Sequence, residues 1–279
     1  MKTVAIQGIA GAYHEMAARK FFRRNGENIE ILPCENFRNV ISEVKRDPKT
    51  IGIMAIENTI AGSLLQNYEL IRESDLAVMG EEKLHITHSI ATLPGETLDT
   101  IKEINSHPIA LMQCGEYLDK LSDVKIVEGD DTASSAKRIA EKKLKKHAAI
   151  CSRYAAELYG LQVLEEGIET NKRNFTRFLI LVNRKTNNDI VDEQEINKAS
   201  IVFNLPHTEG SLSKVLTIFH FYDISLTKIQ SLPIIGREWE YLFYVDLTFK
   251  SILKYKQGLD AARPLTRDLK ILGEYTEWK

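Results

Sequence analysis

The sequence ETNKRNFTRF, residues 169–178, runs directly into the apolar segment LILV, residues 179–182. Polar side chains packed this densely against a buried strand lose hydration, which is unfavourable unless they gain hydrogen bonds or a ligand. A surface turn that leads into an edge strand would have a similar composition, because loops carry both solvent-facing and functional polar groups. The segment therefore predicts either a ligand-binding loop or a simple turn before a strand.

Length and charge limit the class of protein. The chain has 279 residues, enough for two domains that each bury a core of their own. Its 37 Lys and Arg residues against 39 Asp and Glu give a net charge of -2. A near-neutral chain has no positive field that would attract nucleic acid or an anionic membrane, so neither partner is expected.

The cysteines and the N-terminus predict a compartment. Cys34, Cys114 and Cys151 are widely spaced and form no C-x-x-C pair, so we expect neither a disulfide framework nor a metal site. The first apolar run, residues 4–6, is too short for the core of a signal peptide, and no apolar segment has membrane length. These features predict a cytoplasmic protein.

Residues 1–183 alternate short apolar runs with helical patterns, which predicts an α/β domain with mostly parallel sheets. Two polar turns, residues 8–13 and 57–63, each lie between a predicted strand and a predicted helix. Because backbone N–H groups and a helix dipole converge there, both turns are predicted to bind an anion. The first turn lacks the third glycine of a dinucleotide fingerprint and the lysine of a P-loop, which argues against nucleotide binding.

Three further patterns carry local predictions. Residues 83–92 alternate and predict one strand, on which His85 and His88 point to opposite faces and share no metal ion. A helix is expected from about residue 107 to about residue 121, and Asp131 is expected to cap another helix.

The last third of the chain predicts a second domain. Residues 184–198 are rich in Asn, Asp, Glu and Gln, and we interpret them as a linker between domains 1–183 and 199–279. Beyond the linker, the order strand, helix, strand, strand, helix, strand predicts an α+β ferredoxin-like unit. Such sheets commonly meet edge to edge, so a homodimer or homotetramer is expected.

The opening segment resembles a family signature. Asn174, Thr176, Arg177 and Phe178 match the Asn-x-Thr-Arg-Phe motif of prephenate dehydratases. The other matching blocks, in the family's order, are Gly8–Ala18, Glu57–Thr59 with Gly62, Ser106–Pro108 with Ala110, Leu111, Gln113 and Cys114, Thr132 with Ala133, and Ala155 and Ala156 with Tyr159–Leu161. The resemblance implies a two-lobed catalytic domain of the periplasmic-binding-protein type, with its active cleft between the lobes, followed by an ACT regulatory domain. Neither a chorismate mutase segment nor a dehydrogenase segment is present, so the monofunctional form is expected.

The resemblance also implies an activity, the conversion of prephenate to phenylpyruvate, water and carbon dioxide in phenylalanine biosynthesis without a cofactor. Thr176 would donate a proton or a hydrogen bond to the leaving hydroxyl. The expected substrate contacts are Asn58, Ser106, Gln113, Thr132, Arg177 and Phe178, with Glu57 and Asn174 in supporting roles. An internal salt bridge is the alternative for Arg177, and we favour a structural role for Glu57 because its carboxylate would repel two substrate carboxylates.

Regulation by phenylalanine is expected at two segments that together form the family's effector site between subunits. The family's Gly-Ala-Leu segment corresponds to Gly210, Ser211 and Leu212 in this sequence. Its Glu-Ser-Arg-Pro segment corresponds to Gln230, Ser231, Leu232 and Pro233, so one charge pair is lost.

Two alternative functions are open at this point. One is arogenate dehydratase, which acts on the amino acid analogue of prephenate. The other is a non-catalytic amino acid sensor, against which the retention of Thr176 and its surrounding motif argues.

Overall fold

A computed structural model describes residues 1–24, 26–187, 193–234 and 236–277. The strands are β1 (Lys2–Gln7), β2 (Ile29–Cys34), β3 (Ile51–Asn58), β4 (Gly62–Ser63), β5 (Leu76–His85), β6 (Ser89–Thr92), β7 (Glu103–Ser106), β8 (Lys125–Glu128), β9 (His147–Cys151), β10 (Gln162–Glu166), β11 (Phe175–Asn183), β12 (Lys198–Asn204), β13 (Ser225–Pro233), β14 (Tyr241–Thr248) and β15 (Arg267–Tyr275). The α-helices are α1 (Tyr13–Arg24), α2 (Phe37–Arg46), α3 (Leu65–Ser74), α4 (Pro108–Gln113), α5 (Gly115–Leu118), α6 (Thr132–Lys142), α7 (Arg153–Leu158), α8 (Arg184–Asn187), α9 (Ser211–Phe221) and α10 (Ile252–Ala262). None of the described helices is long and apolar enough to cross a membrane.

The chain divides into two compact units. The first contains Met1–Glu43, Gly52–Leu64 and Glu82–Phe178, and the second contains Val44–Ile51, Leu65–Glu81 and Leu179–Lys279. The division passes through strands β3, β5 and β11. The expected domain boundaries at residues 183 and 198 stay a prediction. Part of that linker, residues 188–192, lies outside the described residues.

The first unit has two lobes, each built on a sheet. One sheet has the strand order β2-β1-β3-β11-β5, with β4 on β3, and the other has the order β10-β6-β9-β7-β8. In the second sheet β7 runs parallel to β8 and β9, whereas β6 runs antiparallel to β9 and β10. The prediction of mostly parallel sheets is therefore wrong for this lobe. The chain enters the lobe along β6 and leaves it along β10, so these two strands run in opposite directions.

The segment predicted as one strand over residues 83–92 is interrupted at residues 86–88, where the chain passes from β5 to β6. The backbone groups of residues 86–88 form hydrogen bonds with a loop far along the chain and not with a neighbouring strand. The Ile86 N–H donates to the Asn174 carbonyl oxygen at 2.8 Å, and the His88 carbonyl oxygen accepts from Gly167 N–H at 2.8 Å. Residues 86–88 and 167–174 therefore form the double connection between the lobes.

Side-chain caps mark where the two helices α4 and α6 begin. Asp131 Oδ1 accepts from the Ala133 N–H at 2.6 Å and so caps α6, as predicted. The helix expected over residues 107–121 is wrong in extent. It consists of the two short helices α4 and α5, separated at Cys114. His107 caps α4 by accepting the Ile109 N–H at its Nδ1 atom.

The second unit contains the predicted ferredoxin-like arrangement. Its sheet has the order β13-β14-β12-β15 with every pair antiparallel. Helices α9 and α10 pack on it around a core that includes Phe203, Phe219 and Tyr255. The same unit buries Lys198, whose Nζ lies 2.7 Å from Glu81 Oε1 and 3.0 Å from Glu277 Oε1.

Candidate active site

A cavity of about 230 Å³ lies between the two lobes of the first unit. Strands β1, β3 and β11 reach it from one lobe, and helices α4 and α6 reach it from the other. Its polar wall is formed by Gln7, Tyr13, His14, Asn58, His88, His107, Gln113, Asp130, Asp131, Thr132 and Thr176. The carboxyl ends of β1 and β3, the start of β11 and the helices α4 and α6 thus converge on one cavity, and the carboxyl ends of strands are the usual position for a ligand in an open α/β sheet.

Thr176 lies at the start of β11, and the direction of its hydrogen bond with Asn58 is fixed. Asn58 Nδ2 donates to Thr176 Oγ1 at 2.9 Å and to Asn174 Oδ1 at 2.7 Å. Asn58 Oδ1 accepts the backbone N–H groups of Ile60 and Ala61 at 2.9 and 2.8 Å. Because those N–H groups can only donate, the Asn58 amide is fixed with its NH₂ group toward Thr176. No described residue accepts the Thr176 proton, which is left for a ligand in the cavity.

Gln113 extends this network across the cavity. Its Oε1 atom accepts from Asn174 Nδ2 and from His88 Nε2, both at 2.9 Å, and its Nε2 atom donates to Asn58 Oδ1 at 3.2 Å. Burial lowers the pKa of His88, so we assign the neutral ring its proton on Nε2. The other ring nitrogen, Nδ1, lies 3.0 Å from the Tyr13 hydroxyl, which donates its single proton to the Thr87 carbonyl oxygen at 2.8 Å. The network is therefore neutral throughout.

The two turns predicted to bind anions are occupied by the protein's own side chains. At the first turn, the Gly11 N–H donates to Glu15 Oε2 at 2.7 Å. At the second, Asn58 Oδ1 takes the two N–H groups of Ile60 and Ala61. The N–H groups of Gly11, Ile60 and Ala61 are therefore not available to an anion, because a side-chain oxygen already satisfies each of them.

The cavity wall carries no described Lys or Arg side chain. Its three histidines also contribute no positive charge near neutral pH. Burial lowers the pKa of His14 to about 4 and also lowers the pKa of His88 and His107. An anionic ligand would therefore be held by neutral hydrogen-bond donors.

Five of the predicted site residues reach the cavity, namely Asn58, Gln113, Thr132, Thr176 and Phe178. Asn174 is fully buried and connects Asn58 to Gln113.

The other three predicted residues lie away from the cavity. Ser106 is fully buried in β7, where its hydroxyl donates to the Ile150 carbonyl oxygen at 2.6 Å. Arg177 alternates with Thr176 along β11 and is buried with its Nη1 atom 3.9 Å from Glu57 Oε1. This position matches the internal salt bridge that was the alternative for Arg177.

Sequence reasoning missed Tyr13, His14 and His88 as residues of the cavity wall. One signal could have found the first two. They follow directly after the glycine turn of residues 8–11, and a residue at the carboxyl end of a parallel strand faces the usual ligand site. His88 carries no such signal, because its position depends on the interruption between β5 and β6.

The second unit contains another cavity, of about 440 Å³. Gly210, Ser211 and Leu212 line it together with the aromatic side chains of Trp239, Tyr241 and Phe243. The second predicted effector segment, residues 230–233, is not part of this wall and lies on the edge strand β13.

Fold and site together define a class of protein, a two-lobed α/β domain whose cleft is lined by hydrogen-bonding side chains, joined to a ferredoxin-like domain. The family model of prephenate dehydratase matches residues 4–186. The Arabidopsis thaliana chloroplast protein "Arogenate dehydratase/prephenate dehydratase 2" is 36% identical over 284 residues, which cover 98% of this chain and 72% of that protein. The chain belongs to the prephenate dehydratase family, and it is an enzyme of the lyase class.

Two solved structures are similar over nearly the whole chain. The Arthrobacter aurescens prephenate dehydratase in complex with L-Phe has a TM-score of 0.85 at 25% identity, and the match covers 99% of this chain and 90% of that one. GqqA, described as a quorum quenching acylase, has a TM-score of 0.87 at 26% identity, with coverage of 99% and 98%. The predicted family and fold class are confirmed.

Proposed function

We propose that this enzyme converts prephenate to phenylpyruvate, water and carbon dioxide in the cleft of the first unit, with Thr176 as the donor to the leaving hydroxyl. The observation that carries the assignment is the hydrogen bond from Asn58 Nδ2 to Thr176 Oγ1. Since Thr176 accepts from Asn58, its own proton is available to a substrate oxygen.

The reaction breaks two bonds that join substituents to the substrate ring. The electron pair of the bond to the ring carboxylate enters the ring as carbon dioxide leaves, and the bond to the hydroxyl oxygen breaks at the opposite ring carbon. That oxygen gains negative charge in the transition state, and Thr176 is positioned to donate to it. A fixed donor in a dry site stabilises such charge more than water does, because it need not reorient.

Neutral donors suit this chemistry. The substrate is a dianion that must release one carboxylate as uncharged carbon dioxide, and a cation held against that carboxylate would stabilise the ground state and slow the reaction. We assign substrate contacts to Asn58, Gln113 and Thr132, and packing against the ring to Phe178. Ser106, by contrast, serves to fix the end of β7 through its bond to Ile150.

Thr176→Val tests this assignment, because valine keeps the shape of threonine and removes the hydroxyl. We expect turnover of prephenate to fall by about 10² to 10⁴ with little change in KM. Thr176→Ser, which keeps the hydroxyl, is the matched control and should retain most of the activity. Full turnover by Thr176→Val would show that another group serves the leaving oxygen.

The substrate is the keto acid prephenate in this proposal, although the Arabidopsis relative is named for both arogenate and prephenate dehydratase. Comparing kcat/KM for the two compounds separates the alternatives. A higher kcat/KM for arogenate would move the assignment to the sister reaction, and no product from either compound would leave a binding protein.

Feedback inhibition by phenylalanine is the regulation we propose, because the related Arthrobacter enzyme was solved with L-Phe. The aromatic cavity at Gly210 to Leu212 offers a site of suitable character. Gln230 and Leu232 replace a charge pair, so we expect weaker binding than the family motif gives. Millimolar phenylalanine should lower turnover and raise the Tm, and the absence of both effects would reject the proposal.

We further propose a homodimer or homotetramer that works in the cytoplasm. Strand β13 is a nine-residue edge strand, and an unpaired edge of this length favours pairing with a second copy. Cys34, Cys114 and Cys151 are buried and form no disulfide with one another, which suits a reducing compartment. Light scattering on the purified protein measures the mass, and a monomer at all concentrations would refute the assembly.

A further inference from the structure

His14 lies in the wall of the cleft beside the catalytic motif. Its ring contacts that of Phe178 edge to face, with centroids 5.0 Å apart, and contacts the ring of Phe37 at 5.4 Å. Its Nε2 atom accepts the backbone N–H of Ala55, on β3, at 3.3 Å. Three contacts on three different elements therefore fix the position of this imidazole.

The hydrogen bond from Ala55 also fixes the tautomer. A backbone N–H can only donate, so Nε2 carries the lone pair and the proton of the neutral ring is on Nδ1. Burial lowers the pKa of His14 to about 4, which keeps the ring neutral at physiological pH. Among the described residues, none accepts a hydrogen bond from Nδ1. The cleft therefore contains a preorganised N–H donor that the reaction described above does not use.

The position of this donor relative to Thr176 follows from strand geometry. Thr176 and Phe178 are two residues apart on β11 and face the same cavity. Two residues of a strand advance by about 6.5 Å, and His14 packs on Phe178, so the cavity wall presents His14 beside Phe178 and next along from the leaving-group donor. A substrate whose hydroxyl meets Thr176 extends its opposite ring carbon toward this position. That carbon carries the ring carboxylate and the pyruvyl side chain.

Of these two groups, the pyruvyl side chain suits the donor, and its keto oxygen is the acceptor nearer the ring. The ring carboxylate loses its charge as it becomes carbon dioxide, so a fixed donor on it would stabilise the ground state more than the transition state. The keto oxygen keeps its partial negative charge through the reaction and can accept a hydrogen bond throughout.

We propose that His14 is a specificity-determining residue, whose Nδ1–H donates a hydrogen bond to the keto oxygen of prephenate and disfavours arogenate. This inference rests on the proposed function. Arogenate has an ammonium group in place of the keto oxygen, and an ammonium group has donors and no lone pair. Two donors would then face each other, and the Ala55 N–H prevents the ring from changing its tautomer to accept.

The experiment compares kcat/KM for prephenate and arogenate in the wild-type enzyme, His14→Phe and His14→Gln. Phenylalanine keeps an aromatic ring between Phe37 and Phe178 and removes both nitrogens. We expect His14→Phe to lower kcat/KM for prephenate about 10- to 30-fold, since the buried keto oxygen loses its hydrogen-bond donor. The value for arogenate should stay within about threefold, so the preference falls by a similar factor. Glutamine has both a hydrogen-bond acceptor and a donor, so His14→Gln should keep part of the preference for prephenate that His14→Phe loses.

An equal loss of activity on both substrates would overturn the proposal, because it would place His14 on a group that prephenate and arogenate share. An unchanged preference in both variants would overturn it as well. His220→Phe, at an exposed histidine of α9, is the matched control and should leave the preference unaltered. If the wild-type enzyme converts neither compound, it is the proposed function that fails. His14→Gln, with its smaller perturbation, tests the proposal if His14→Phe does not fold.

Discussion

Replacing Asn58 by aspartate would exchange the donor that faces Thr176 and Asn174 for an acceptor and leave the shape of the side chain almost unchanged. In the wild-type enzyme, Oδ1 accepts the N–H groups of Ile60 and Ala61, and Nδ2 donates to Thr176 Oγ1 at 2.9 Å. In Asn58→Asp, one oxygen keeps the two backbone contacts and the other becomes an acceptor at 2.9 Å from Thr176. The Thr176 hydroxyl would then donate to Asp and no longer to the substrate.

Two effects set the size of the expected loss of activity in Asn58→Asp. Loss of one preorganised donor to a developing oxyanion lowers turnover by about 10² to 10³, equivalent to roughly 3 to 4 kcal/mol. The new carboxylate also repels the substrate dianion. At a separation of about 6 Å and an effective dielectric constant of about 20, the repulsion amounts to roughly 3 kcal/mol per charge before screening. We therefore expect turnover to fall by about 10² to 10³ and KM to rise.

The assay is the steady-state formation of phenylpyruvate from prephenate by the wild-type enzyme, Asn58→Asp, Thr176→Val and the double variant. If Asn58 acts by orienting Thr176, the double variant should show little loss of turnover beyond that of Thr176→Val, because both changes remove the same interaction. Near wild-type turnover in Asn58→Asp, or fully additive losses, would refute the reasoning. Thermal unfolding of each variant shows whether a loss reflects the site or the fold.

Two further predictions concern stability. Lys198→Met should lower the free energy of unfolding by about 3 to 5 kcal/mol, because it leaves Glu81 buried without its lysine. Urea unfolding measures this, and the double variant Lys198→Met with Glu81→Leu should recover most of the loss. Burial lowers the pKa of His14 in the folded chain to about 4, whereas histidine in the unfolded chain has a pKa of about 6.5. Between these two pH values, the unfolded chain binds a proton that the folded chain does not bind. Acidification from about pH 7 to pH 4 should therefore destabilise the wild-type enzyme by up to about 3 kcal/mol more than His14→Phe, and equal losses would contradict the assignment.

Local signals in the sequence predicted many of the elements. Residues 241–250 alternate in the pattern of a strand, and β14 is observed at Tyr241–Thr248, because side chains two residues apart lie on the same face of a strand. Asp131 predicted the start of α6 because a carboxylate can accept the first free N–H groups of a helix. In the second unit, the order of such signals was enough to predict the ferredoxin-like sheet.

Long-range hydrogen bonds decided what those signals could not. Residues 83–92 alternate as a strand would, yet the backbone at residues 86–88 bonds to residues 167–174, far along the chain. Ser106 belongs to a block that resembles the family, but it faces Ile150 on a neighbouring strand and does not reach the cavity.

The sequence by itself determined the family and most of the elements, and it directed attention to Thr176, because motifs and periodicity are properties of neighbouring positions. The tertiary structure alone decided the direction of the hydrogen bonds in the site. Asn58 and Thr176 are 118 residues apart, and only their contact shows which atom donates and which proton is free. The same holds for His14, whose tautomer is set by Ala55 on another element. Hydrogen-bond direction depends on where distant groups meet, and the fold fixes that.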